Sequence, residues 1–188
     1  MNAPGALAYV MGPSGAGKDT LLTGARAHLD PAQFAFAHRY IARPPFAGDE
    51  NFVALSAAEF AARRAAGLFA FHWRARDVDY GIGTEIESWR AAGLTVVVSG
   101  SRADWESGAP ARAGAVPVLV TAAPETLRAR LEARGRDPDI DKRLARATAF
   151  SIAHSALVAI DNSGPVGDGI AALVRALNAI RSGSAAAA

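Results

Sequence analysis

A glycine-rich turn that ends in lysine, Gly12-Pro13-Ser14-Gly15-Ala16-Gly17-Lys18, separates two very different segments of the chain. The preceding residues 7–11 (LAYVM) form a short apolar run, which is typical of a strand buried in a parallel sheet. The following residues, Asp19 to Leu29, are expected to form a helix. Glycines in such a turn let successive backbone N–H groups converge on a polyphosphate at the helix N-terminus. The sequence therefore predicts a phosphate-binding loop, with Lys18 as the positive charge for the outer phosphates.

The position after the lysine departs from the usual form of these loops, in which a serine or threonine hydroxyl binds Mg²⁺. Here Asp19 occupies that position and Thr20 follows it. An acidic residue in the first helical turn is also favoured by the helix dipole alone. A carboxylate beside a triphosphate, however, is repelled unless a cation lies between them. We therefore expect Asp19 to bind Mg²⁺ directly or through water, with Thr20 as the weaker alternative, and Mg²⁺ and ATP to be the ligands of residues 12–20.

Apolar runs alternate with helical segments along the rest of the chain, which indicates an α/β fold with a mostly parallel sheet in a single domain, residues 1–188. Further strands are predicted at residues 69–73, 94–98, 116–121 and 157–160. Helices are predicted at 56–67, 84–92, 124–135, from about 141 to 153, and at 166–180. Residues 34–55 are predicted to form short strands and loops, Tyr80-Gly81 to begin a turn, and the tail at 182–188 to fray.

Composition excludes several classes of protein. The chain has 188 residues and no cysteine, which rules out a disulfide framework, a cysteine-ligated zinc site and a thiol nucleophile. Its net charge of +2 gives no support to a DNA-binding surface. The sequence begins with no recognisable signal peptide and contains no apolar stretch long enough to span a bilayer. We therefore expect a cytoplasmic protein without nucleic-acid or membrane partners, either a monomer or a homodimer.

Several motifs resemble those of the guanylate kinase group of P-loop phosphotransferases, over roughly residues 5–178. They are GPSGAGKDT at 12–20, the Arg-Pro pair at 43–44, EF…G and YG within 59–81, and RLEARGR…IDKRL at 130–144. The resemblance implies a P-loop NTPase-type three-layer fold with a small acceptor-binding lobe at about 34–83 and a lid at about 132–143. It also implies that Arg134 and Arg143 close over the triphosphate and that Asn162 lies on the adenine side.

The resemblance fails where guanylate kinases hold and read their acceptor. Phe46 stands in place of a second phosphate-binding arginine, and Phe71 and Ile82 replace polar residues that read guanine. Ser99 or Ser101 stands where such proteins have an acidic residue. A pocket without buried hydrogen-bonding partners has lost its basis for recognising a base. The resemblance therefore extends to the phosphotransfer residues and not to the guanine pocket.

A second resemblance fits these changes better, namely to the ribose 1,5-bisphosphate phosphokinases of phosphonate degradation. The shared motifs are GKDT, R-Y-I-x-R-P, G-D-E-N, H-W, Y-G-I and V-V-x-G-S-R. This resemblance implies ATP-dependent conversion of ribose 1,5-bisphosphate to 5-phospho-α-D-ribose 1-diphosphate. A sugar with two phosphates calls for arginines and small polar groups. The expected substrate residues are Arg39, Arg43, Tyr80, Ser101 and Arg102, with Asn51, His72 and Ser99 as further candidates.

Two alternatives stay open at this point. One is a guanylate kinase or another nucleoside monophosphate kinase, which differs in its acceptor. The other is a non-catalytic guanylate-kinase-like binding module, which would be expected to lose the loop lysine and the lid arginines that this chain keeps.

Overall fold

The computed structural model describes residues 3–44, 51–75, 77–133, 139–148 and 150–184, without the side chains of Arg143, Arg146 and Thr148. The strands are β1 (Leu7–Met11), β2 (Phe34–Phe36), β3 (Arg39–Ile41), β4 (Phe52–Ala54), β5 (Phe69–Ala75), β6 (Val78–Gly83), β7 (Thr95–Ser99), β8 (Ala115–Thr121) and β9 (Val158–Asp161). The helices are α1 (Lys18–His28), α2 (Ala57–Ala65), α3 (Glu85–Ala91), α4 (Arg102–Glu106), α5 (Ala109–Arg112), α6 (Pro124–Ala133), α7 (Ile140–Thr148) and α8 (Val166–Arg181).

The main sheet has five parallel strands in the order β2-β7-β1-β8-β9. Its central strand β1 is completely buried, and Leu7 lies opposite Val96 on one side and Ala115 on the other. The predicted parallel sheet is confirmed. Ligands of open α/β sheets bind at the carboxyl ends of the strands, and the glycine-rich loop lies at that end of β1.

Helices cover both faces of this sheet, because the side chains of β1 alternate between two apolar clusters. Ala8 and Val10 pack with Leu21 of α1 and Leu173 of α8. Leu7, Tyr9 and Met11 pack on the opposite face with Ile86 of α3 and Trp105 of α4. The result is a three-layer arrangement, as the resemblance implies.

A second sheet lies within residues 39–83, in the order β4-β3-β6-β5. β3 and β4 are parallel, whereas β6 is antiparallel to both β3 and β5. The prediction that Tyr80-Gly81 begins a turn is wrong, since both residues lie inside β6, where Tyr80 pairs with Ile41 and Gly81 with Tyr40. The chain instead reverses before β6, at Asp77, which has a left-handed φ of 61°.

Local side-chain contacts account for the start of α2 and the end of α7. Ser56, where this helix was predicted to begin, caps α2: its hydroxyl accepts the Glu59 N–H at 3.1 Å, while the Glu59 carboxylate pairs with Arg63 at 2.7 Å. α7 ends at Thr148 rather than near residue 153, because Phe150, Ile152 and Leu157 pack against the Tyr9 side of the core. None of the helices in the described ranges is long and apolar enough to cross a membrane.

Candidate functional site

The glycine-rich loop depends on two glycines at points of close approach. Gly17 precedes α1 with a left-handed φ of 85°, and a Cβ there would lie 2.4 Å from Asn162 Nδ2. A Cβ at Gly12 would lie 2.4 Å from the Val120 carbonyl oxygen of β8. Gly17 also supplies no side-chain cap to α1. The backbone of residues 12–17 therefore closes tightly at the N-terminus of an 11-residue helix, which is a favourable place for an anion.

Two side chains hold the loop from its buried side. Asn162 is 3% exposed, and its Nδ2 donates to the Ala16 carbonyl at 2.7 Å. Arg130 donates to the Asn162 carbonyl at 2.9 Å and to the Gly15 and Ala16 carbonyls at 3.4 and 3.5 Å. The structure thus places Asn162, expected on the adenine side, in the support of the loop. Arg130 was not singled out by the sequence, because its partners lie more than 30 residues away.

Lys18 and Asp19 form a charged group at the start of α1. Lys18 Nζ lies 2.7 Å from Asp19 Oδ1 and donates to the Ser99 hydroxyl at the end of β7. Arg39 Nη2 of β3 lies 3.4 Å from the same Asp19 oxygen. Burial tends to raise the pKa of Asp19, but the positive charges of Lys18 and Arg39 outweigh it and lower that pKa below its ordinary value. Asp19 is therefore ionised at neutral pH and joins the loop to β3.

The carboxyl end of β7 is fixed by a buried pair that the sequence analysis missed. The Tyr9 hydroxyl donates to Asp104 Oδ2 at 2.5 Å and accepts the Ser101 N–H at 3.0 Å. A Cβ at Gly100 would lie 2.1 Å from the Tyr9 ring. This packing positions Ser99, Ser101 and the start of α4. A tyrosine within an otherwise apolar strand was the available signal, since a buried hydroxyl requires a partner.

A cleft of about 230 Å³ opens beside the charged group. It is lined by Asp19, Leu22, Thr23, Arg26, Phe36, Ala37, Arg39, Asn51, Val97 and Ser99. The first turn of α1, which follows the phosphate-binding loop directly, therefore also forms part of the cleft wall. A ligand in the cleft thus lies next to an anion held by the loop.

The residues predicted to bind the sugar are divided by the structure. Arg39, whose side chain is 10% exposed, lines the cleft, and so do Asn51 and Ser99. The Arg39 guanidinium lies 5.9 Å from the Tyr80 ring, which stacks on Trp73 at 5.6 Å. Tyr80 therefore packs its ring against the Arg39 guanidinium and helps to position it.

The other predicted sugar residues do not line this cleft. The Arg43 guanidinium lies 4.7 Å from the Phe52 ring, and that of Arg102 lies 5.0 Å from the Phe150 ring. Ser101 is the residue before α4, where its N–H is held by Tyr9. His72 is exposed on β5. The structure therefore brings Arg39 to the cleft and leaves these four residues outside its lining.

The lid prediction falls largely outside what the structure describes. Arg134 lies outside the described residues, and Arg143 is described only as part of the backbone of α7. Phe46, from the comparison of acceptor residues, also lies outside the described residues. Arg128 of α6 pairs with Asp141 of α7 at 2.6 Å, so the two helices that flank the predicted lid are linked.

The carboxylates of the described ranges do not form a cage for a metal, since no group of three or more His, Cys, Asp or Glu side chains occurs there. Mg²⁺ is commonly held by one or two carboxylates together with phosphate oxygens and water. An ionised Asp19 beside the phosphate-binding loop fits that pattern. The residues present are thus compatible with a magnesium ion that arrives with a nucleotide.

The fold and the loop define a nucleotide-binding kinase of the P-loop class. A family described as AAA domain matches residues 9–150, which contain the loop. In fold, the chain is similar to a guanylate kinase from Anaplasma phagocytophilum, with a TM-score of 0.68 over 96% of this chain and 88% of that one. Their sequences are 15% identical, so this likeness concerns the fold alone.

Curated relatives give the particular family. A ribose 1,5-bisphosphate phosphokinase from Desulfomicrobium baculatum is 48% identical over 86% of this chain and 88% of its own length. One from Laribacter hongkongensis is 54% identical over 78% of this chain, although the match spans only 36% of that longer protein. The chain belongs to the ribose 1,5-bisphosphate phosphokinase family.

Proposed function

We propose that the protein transfers the γ-phosphoryl group of ATP to ribose 1,5-bisphosphate and forms 5-phospho-α-D-ribose 1-diphosphate. The observation that carries this proposal is the position of Asp19. It lies directly after the phosphate-binding loop, contacts Lys18 and Arg39, and lines the cleft. Donor and acceptor sites therefore meet at one turn of helix, as transfer of a phosphoryl group between two bound phosphates requires.

The reaction needs no general base. A phosphate oxygen of the sugar is largely ionised at neutral pH, since its second pKa is near 6. This oxygen, on the 1-phosphate, forms a bond to the γ-phosphorus as the bond from that phosphorus to the β–γ bridging oxygen breaks, and ADP leaves. The protein has to align two phosphates and offset their charge. The site described above is built from cations and backbone amides, which suits that task.

In this proposal Lys18 exchanges its contacts with Asp19 and Ser99 for the β- and γ-phosphates. Arg39, supported by Tyr80, holds the acceptor phosphate at the same end of the cleft. Arg134 and Arg143 are proposed to close over the triphosphate from the lid at 132–143. Residues 34–83, which include the second sheet, are proposed as the acceptor-binding lobe of a single domain.

Asp19 would hold a magnesium ion together with phosphate oxygens and water, with Thr20 as the neighbouring hydroxyl. When bound, such an ion offsets charge on the β- and γ-phosphates. With Asp19 paired to such an ion, Lys18 would be available to the phosphates of the nucleotide.

A guanylate kinase activity is disfavoured by the core. Phe71 is 3% exposed and Ile82 is fully buried, and both pack with Tyr9 and Ile86. The two positions that would have to present polar groups to guanine are therefore apolar and turned into the core. A non-catalytic binding module is disfavoured by the retained Lys18, which lies where it can reach a nucleotide phosphate.

The test is a coupled assay of ADP release with ribose 1,5-bisphosphate, GMP and ribose 5-phosphate as separate acceptors. We expect turnover with the bisphosphate and little with the other two. Lys18→Ala should lower turnover by roughly 10³-fold, since it removes a charge that stabilises the transferring phosphoryl group. Arg175→Ala, an exposed cation on α8, is the matched control and should keep the wild-type rate. Wild-type turnover by Lys18→Ala, or faster turnover of GMP than of the bisphosphate, would contradict the proposal.

A further inference from the structure

The cleft beside α1 has a cation at each end. Asp19, Leu22, Thr23 and Arg26 line it from one face of α1, at the i, i+3, i+4 and i+7 spacing of a helical stripe. Arg39 lies at the Asp19 end, next to the phosphate-binding loop. Arg26 lies in the last turn of the helix and so marks the far end. Two cationic ends with a wall between them are what a ligand with two separated anionic groups requires.

The wall between these ends is largely apolar. Leu22 of α1, Phe36 of β2 and Val97 of β7 contribute to it, and the polar groups between the ends are neutral. A phosphate dianion placed against such a surface without a cation loses water contacts and gains no partner. An acceptor with a second phosphate therefore needs a positive charge at the far end.

We propose that Arg26 binds the non-reacting 5-phosphate of the sugar bisphosphate and makes the enzyme specific for a bisphosphorylated sugar. This inference rests on the proposed function, in which the 1-phosphate reacts beside Lys18 and Arg39. Asp19 and Arg26 are seven residues apart, which is about 10 Å along a helix. Helical side chains lean toward the helix N-terminus, so the Arg26 guanidinium lies closer to the Asp19 end of the cleft than this backbone distance indicates. That span matches two phosphates on opposite ends of a five-carbon sugar.

A basic residue in a last helical turn also has a purely structural use, because it offsets the helix dipole. Arg26 shares its last turn with His28, whose ring contacts the Gly24 carbonyl at 2.8 Å and serves that end of the helix. Within the described part of the chain, no ion pair or hydrogen bond occupies the Arg26 guanidinium. Arg26 is exposed and lines the cleft, so its guanidinium is available to a ligand there.

The experiment compares Arg26→Gln with wild type on two acceptors. Ribose 1,5-bisphosphate carries the distal phosphate, and ribose 1-phosphate lacks it. A charge-assisted contact of this kind corresponds to a loss of about 10- to 100-fold when removed. We expect kcat/KM for the bisphosphate to fall by that factor, while kcat/KM for ribose 1-phosphate changes less than about threefold. Arg26→Lys should recover part of the loss, and Arg175→Gln on α8 is the matched control.

A binding measurement provides a readout that does not depend on turnover. Ribose 5-phosphate carries only the distal phosphate, and its Kd measured by calorimetry should rise about 10-fold or more in Arg26→Gln. The Kd of an ATP analogue should stay unchanged, because the nucleotide loop lies at the other end of α1. Equal losses on both acceptors indicate structural damage and overturn the proposal, as does an unchanged preference for the bisphosphate. If wild type transfers no phosphoryl group to the bisphosphate, the proposed function itself fails, whatever the result with Arg26→Gln.

Discussion

Replacing Tyr9 by phenylalanine tests how strongly the buried pair with Asp104 holds the end of β7. The Tyr9 hydroxyl donates to Asp104 at 2.5 Å and accepts the Ser101 N–H at 3.0 Å. Phenylalanine has nearly the same volume, so the loss comes from hydrogen bonds rather than from a cavity. A hydrogen bond to a charged acceptor contributes about 1.5–3 kcal/mol. We expect the free energy of unfolding to fall by about 2 kcal/mol and Tm by about 4–8 °C.

The loss of stability in Tyr9→Phe should depend on pH, because the hydroxyl contacts an ionisable group, Asp104, that is buried and only 4% exposed. Burial raises the pKa of Asp104, whereas the hydrogen bond from Tyr9 acts to lower it. Without the hydroxyl that pKa rises further. An acid whose folded pKa exceeds its unfolded pKa lowers stability as pH rises through that interval. The deficit of Tyr9→Phe should therefore be larger at pH 7.5 than at acid pH. It should shrink toward about 1 kcal/mol, the contribution of a neutral hydrogen bond, as Asp104 becomes protonated.

Urea denaturation at pH 7.5 and pH 4.5 measures both effects. Tyr80→Phe is the matched control, since it removes the same hydroxyl from a half-buried position where it pairs with no carboxylate of the described residues, and we expect a loss of about 0.5 kcal/mol. Equal losses for the two variants would refute the argument, and so would a deficit of Tyr9→Phe that grows on acidification.

Other contacts around the loop give further expectations. Gly17→Ala combines a φ of 85° with a methyl group 2.4 Å from Asn162 Nδ2, and calorimetry should show at least a tenfold loss of nucleotide affinity, about 1.4 kcal/mol. Asn162→Ala removes the 2.7 Å donor of the buried Ala16 carbonyl and leaves it the longer 3.5 Å contact with Arg130, so it should destabilise the fold by about 1–3 kcal/mol in urea, an idea contradicted by an unchanged midpoint. Asp19→Asn removes a carboxylate whose pKa is lowered, so its stabilisation exists above the unfolded pKa and is lost as pH falls through the folded one. The difference from wild type should accordingly be present at pH 7 and shrink below about pH 4, as the pH falls from the unfolded pKa toward the lower folded one.

The main sheet was predictable because buried parallel strands are continuous apolar runs. β1, β7, β8 and β9 lie within about a residue of their predicted positions for that reason. β6 was missed because its sequence, VDYGIG, carries two glycines that locally favour a turn. Pairing with β3 and β5 decides its structure, and that pairing is invisible in a local pattern. The helices α4 and α5, with five and four residues, are too short to show a period.

The site was predictable to the extent that its residues follow one another in the chain. The residues of the loop at 12–20 are contiguous, so a single sequence motif was enough to predict it. Tyr9 and Asp104 are 95 residues apart and Arg130 is 115 residues from Gly15, so their contacts exist only in the folded protein. Arg26 belongs to no motif, and its place in the cleft lining becomes visible only in the folded protein.

The carboxylate that Lys18 and Arg39 share decides which anions the resting enzyme attracts. An isolated phosphate or sulfate must compete with Asp19 for both cations and then leaves that carboxylate unpaired beside a second negative charge. In the proposed function, a nucleotide that carries a divalent cation would give Asp19 a new partner while its phosphates pair with Lys18 and Arg39. We therefore expect free phosphate and sulfate to bind this site weakly, and a nucleotide bound to a divalent cation to bind it better.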